Sequence, residues 1–129
     1  MLNAKIAYFF HPVHDLKESL HFFKDIMGFS LVYSNFTDLT PEQVVTEEIA
    51  KLQWLEFDGG NITLLVQQVP GIQPYETGIG FQVNNCDEAF VFFKNNGVEI
   101  TRGIQGGYGK LRTFEIKDPT GSVFTIFGE

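Results

Sequence analysis

The chain repeats itself once, and that repeat limits its architecture more than any other feature. Leu16, Leu20 and Phe23 stand at the same spacing as Cys86, Phe90 and Phe93. Around them, Glu18, Phe22, Phe23 and Lys24 recur as Glu88, Phe92, Phe93 and Lys94, seventy residues further on. Apolar residues three or four apart fall on one stripe of a helix, so each copy reads as an amphipathic helix. Asp15 is placed to cap the first copy, while Gly28 and Gly97 close the first and second. A strand leads into each helix, at residues 5–10 and 78–83.

After each helix the sequence turns β-rich. Residues 29–34, 51–57 and 62–68 read as strands in the first half, with Asp58-Gly59-Gly60 as a hairpin turn. Residues 98–101, 110–117 and 122–127 follow in the second half, with Asp118-Pro119-Thr120-Gly121 as the equivalent turn. The fold class is therefore α+β: two βαβββ modules, about 1–70 and 71–129, within one domain of 129 residues. Each helix buries its stripe on one face of a four-stranded mixed sheet, which leaves the other faces free to curve into a cup. Residues 35–50, with Pro41 as a first helical residue and Glu42, Glu47 and Glu48 around it, read as an exposed helix inserted into the first module.

A hydrophobic content of 43% is enough for one substantial core at this length. No apolar run is long enough for a span and none follows a basic start, so neither a signal peptide nor a membrane segment is expected, and the protein is expected in the cytoplasm. Cys86 is the only cysteine, which excludes an internal disulfide and a thiolate zinc site and suits a reducing compartment; it reads as a buried packing residue. The net charge is -7 and the nine Lys and Arg are scattered, so nucleic acid is excluded as a partner. Fourteen phenylalanines serve the core, but such rings also line pockets for flat ligands.

Asp15-Leu16 with Phe22-Phe23-Lys24-Asp25 and Met27-Gly28-Phe29, followed by Lys117-Asp118-Pro119-Thr120-Gly121, resemble the two hallmark segments of the vicinal oxygen chelate superfamily. That group includes glyoxalase I, extradiol dioxygenases, fosfomycin-resistance transferases and bleomycin-binding proteins, and the resemblance runs nearly end to end. It implies one divalent metal held by His or Glu from the first and last strands of each half. Carried onto this chain, those positions are Tyr8, Leu64, Gly78 and Thr125, none of which is His, Asp or Glu. A divalent ion needs three or four nitrogen, oxygen or thiolate donors in one place. A shift of two residues keeps the sheet face and reaches Ile6, Phe10, Ile62, Val66, Gly80, Val123 and Phe127, with Glu76 as the single carboxylate. No metal and no cofactor is therefore expected.

Other candidates are local. His11, His14 and Asp15 could form a metal cluster, but Asp15 reads as the helix cap and the histidines as loop residues; His21 reads as solvent-facing. Residues 103–110 read as a mobile loop from which Tyr108 can fold over a ligand, and Arg102 and Arg112 as surface or sheet-edge residues. No motif places Ser, His and Asp together. Trp54 and Glu56, two apart on one strand, share a face and present a ring beside a carboxylate. The expected ligand-binding set is Tyr8, Phe10, Trp54, Glu56, Leu64, Gln82 and Thr125, with Tyr108 at the rim. The reading is a metal-free small-molecule binding protein for an aromatic or cationic compound, acting as a homodimer. The alternatives are a metal-dependent glyoxalase-like lyase or dioxygenase, and a dimeric structural or regulatory module.

Overall fold

A computed structural model describes residues 2–35, 53–106 and 111–129. The first compact unit, Met1–Ile72, holds β1 (Tyr8–Val13), α1 (Leu16–Leu20) continuing as π-helical His21–Ile26, β2 (Ser30–Ser34), β3 (Trp54–Asp58) and β4 (Thr63–Gln68). The second, Gln73–Glu129, holds β5 (Glu76–Gln82), α2 (Cys86–Asn95), β6 (Ile100–Gln105), β7 (Arg112–Lys117) and β8 (Val123–Gly128). Both read βαβββ. The sheets have the same topology, β1-β4-β3-β2 and β5-β8-β7-β6, with the first pair parallel and the others antiparallel. Most of the expected helix in 35–50, Tyr108, and Lys110 at the start of an expected strand lie outside the described residues.

The two helices start alike. Asp15 accepts a hydrogen bond from the backbone N–H of Glu18 at 3.0 Å, and Asn85 from that of Glu88 at 2.9 Å. They end differently. In α2, Val98 N–H donates to the Phe93 carbonyl and Gly97 N–H to that of Lys94, a Schellman closure that needs the positive φ of 73° at Gly97. The first helix has one residue more between Leu16 and Gly28 than α2 has between Cys86 and Gly97. A wide turn absorbs it: Met27 N–H donates to Phe22, and Phe29 N–H reaches back to Phe23.

Beneath each helix the inner strands, β3 and β4 in one module and β7 and β8 in the other, alternate buried and half-exposed residues. Leu55, Phe57, Leu64 and Val66 pack under Phe23, whose ring lies 5.6 Å from Phe57 and edge-on to His11 at 5.9 Å. In the second module Phe114, Ile116, Phe124 and Ile126 pack under α2, with Phe93 and Phe90 both edge-on to Phe114. Burying a large apolar side chain of this kind stabilises by about 1.5–3 kcal/mol.

Several boundaries differ from expectation. β1 begins three residues later than expected and runs through Pro12. Pro12 is tolerated because β1 is an edge strand, paired on one side only, so a missing N–H breaks no ladder. His11 is therefore a fully buried strand residue, not a loop residue. β5 begins two residues earlier than expected, and β6 extends to Gln105, so Gly103, Ile104 and Gln105 belong to a strand with two register shifts instead of a loop.

Candidate functional site

In the first module the strand register defines a face that the helix does not cover. Phe10 pairs with Leu65, Leu65 with Glu56 and Glu56 with Tyr33, so these four form one row across the sheet. Trp54 stands two residues from Glu56 on the same face, about 6.6 Å along the strand. Its ring meets Tyr33 with centroids 5.6 Å apart and planes tilted by 31°, which puts both rings on that side. Asn35 Oδ1 accepts from the Trp54 backbone N–H at 2.7 Å and fixes the start of β3. Tyr8 is 56% and Phe10 46% exposed, while Trp54 and Glu56 are half-buried. Glu56 makes no hydrogen bond or ion pair among the described residues.

The register thus gathers Tyr8, Phe10, Trp54 and Glu56 on one face, and it separates Leu64 from them. Leu64 is 5% exposed and faces the helix; the residue on the side of Phe10 is Leu65. Leu64 was placed from the end of the hairpin, which leaves an uncertainty of one residue, and the register resolves it in favour of Leu65, the partner of both Phe10 and Glu56. Sequence reasoning also missed Tyr33, which pairs with Glu56 from a distant position in the chain.

The second module carries the equivalent row, in which Gly80 pairs with Thr125, Thr125 with Glu115 and Glu115 with Arg102. Phe10 and Gly80 match through the seventy-residue repeat, so Glu115 stands where the first module has Glu56. The chemistry has diverged, from aromatic to polar. Thr125 is half-buried and Gln82 exposed on this side, whereas Phe81 faces the helix and stacks on Phe124 at 5.1 Å. Gly78 sits in a register shift of β5 at φ 70°, a conformation that side chains rarely adopt. Arg102 donates to Thr113 Oγ1 at 3.3 Å, and Arg112 pairs with Asp87 at the start of α2.

Several other titratable groups are tied into the scaffold or into surface pairs. His14 lies 3.6 Å from Glu18 and His21 3.0 Å from Asp25, both on the exposed helix surface. Burial pushes the Tyr75 phenol up, with the Asp118 carboxylate adding to the shift. Asp118 itself holds the β7–β8 turn by accepting from Ser122 N–H at 2.9 Å. An open groove of about 400 Å³ lies beyond the edge of the first sheet, between Lys5, Ile6 and the Asp58–Thr63 hairpin, and holds none of the sequence-predicted site residues.

The profile of the Glyoxalase/Bleomycin resistance protein/Dioxygenase superfamily matches residues 5–126, and the chain belongs to that superfamily. Solved structures share its fold. One is a superfamily member from Sphaerobacter thermophilus, 22% identical, with a TM-score of 0.71 and 98% of each chain covered. Another is TnmS3, an antibiotic binding protein from Streptomyces sp. CB03234, 19% identical, TM-score 0.66, covering 98% of this chain and 96% of that one. A third is a mutant of the fosfomycin resistance protein FosX from Listeria monocytogenes complexed with Mn(II) and 1S,2S-dihydroxypropylphosphonic acid. It is 18% identical, with a TM-score of 0.71, covering 100% of this chain and 93% of that one. No curated protein matches the chain.

Among the described residues, no three of His, Cys, Asp and Glu gather into a group able to hold a metal ion. Each helix-free row offers one carboxylate, Glu56 or Glu115, set among hydrocarbon, phenol, hydroxyl, glycine and guanidinium groups. Of the four positions implied by the superfamily, Tyr8, Leu64, Gly78 and Thr125, Thr125 is in the second row and the others add one phenol. This donor set does not fit a resident divalent metal. No helix among the described residues is long and apolar enough to cross a membrane.

Proposed function

We propose that this chain is a metal-free small-molecule binding protein of the cytoplasm, with ligand contacts on the helix-free face of each module. The observation that carries the reading is the row Phe10–Leu65–Glu56–Tyr33 with Trp54 beside it: an accessible apolar and aromatic surface with one charged group, which is the composition of a ligand site. Tyr8, Phe10, Trp54 and Glu56 are the proposed contacts in the first module and Gln82 and Thr125 in the second, with Leu65 in place of Leu64. The antibiotic binding protein with the same fold supports a binding role, at an identity that carries the fold alone.

Thermal denaturation tests this directly. A ligand that binds only the folded state stabilises it by about 2.7 kcal/mol at a hundred times its dissociation constant. A panel of small aromatic compounds, antibiotics included, is expected to contain members that raise the melting temperature of chelator-treated protein, while Mn, Ni and Zn leave it unchanged. A saturable rise with a divalent ion, joined by chelator-sensitive turnover of a hemithioacetal or a catechol, would establish the lyase or dioxygenase alternative instead.

A further inference from the structure

We infer that the first module's helix-free face selects planar cations, with the Tyr33–Trp54 pair as the platform and Glu56 as the counter-charge; this rests on the binding function proposed above. Three observations converge on it. The two rings meet at 5.6 Å with planes tilted by 31°, and Tyr33 is 48% exposed, so aromatic surface of the pair is accessible to a third ring. Glu56 lies in the row of Tyr33, half-buried, and no cation or hydrogen-bond donor among the described residues answers its charge.

The third observation is the sign of the surroundings. The carboxylates of β1–β4, Glu56 and Asp58, both fall on this face, and the one basic side chain in those strands, His11, is buried on the other. An anion brought against Glu56 loses water beside a carboxylate, whereas a cation gains both the carboxylate and the negative faces of the rings. The equivalent row of the second module has Arg102 where the first has Tyr33, so its own carboxylate already has a cation as neighbour and the preference belongs to the first module.

Trp54 is the only tryptophan in the chain, so its emission reads this face alone. Proflavine, a planar cation, is expected to quench it saturably in the full-length protein at pH 7. Anthraquinone-2-sulfonate, a planar anion, and tetramethylammonium, a cation without a plane, should bind at least about tenfold more weakly. Glu56→Gln should remove most of the preference of proflavine over the sulfonate, with circular dichroism reporting whether the fold is kept. Equal or tighter binding of the sulfonate by the unmodified protein, or a folded Glu56→Gln variant with the preference intact, would overturn the inference. Failure of proflavine while another compound class raises the melting temperature sinks the inference and leaves the binding function standing; failure of every compound sinks both.

Discussion

Burial pushes the Cys86 thiol above its ordinary 9.0; the nearby Arg112 guanidinium pulls it back and the Asp87 carboxylate pushes it up again. The folded chain therefore keeps the neutral thiol, and the sign of the consequence is fixed. A group whose folded pKa is raised contributes stability that is whole below its unfolded value and is lost as pH climbs through the folded one. Melting temperature followed from pH 7 to pH 10 should fall more steeply above pH 9 for the native chain than for Cys86→Ala, with Tyr75 common to both. Parallel curves would contradict the account. The packing role of Cys86 was legible from its place in the repeated helical stripe, and the structure leaves it fully buried. Leu64 was not legible in the same way: a strand has a period of two, so a placement off by one residue puts the side chain on the opposite face, and only the pairing with Glu56 selects Leu65.

At the level of elements, the paired caps give the cleanest test of the repeat. Asp15 and Asn85 hold matching backbone N–H groups, so Asp15→Ala and Asn85→Ala should each cost about 1 kcal/mol in a denaturant titration, within a range of about 0.5–2. A loss near zero at either position would show that its helix start is held by other contacts. Element order and type were readable because both signals are local: the 3.6-residue stripe of each helix and the turns at Asp58 and Asp118. The π-helical turn was not readable. The extra residue before Gly28 is visible in the repeat, but where a helix absorbs an insertion depends on how Phe22 and Phe23 are anchored in the core. The candidate face was half readable for the same reason, since Trp54 and Glu56 lie on one strand while Tyr33 joins them only through pairing of distant segments.

At the scale of the molecule, the first sheet leaves β1 and β2 as edges, with Phe9 46%, Val32 66% and Tyr33 48% exposed along them. Exposed apolar edges favour pairing with a second copy. We therefore predict a homodimer: light scattering at micromolar concentrations should give twice 14.6 kDa, and the monomer mass throughout would contradict it. The proposed binding function requires no resident metal ion. Elemental analysis of protein purified without chelator tests that most directly, because a structural or catalytic ion held by the folded chain stays bound in a fixed ratio. Mn, Fe, Ni and Zn are expected far below one ion per chain, with no more after incubation with each metal and desalting. Close to one divalent ion per chain would contradict it.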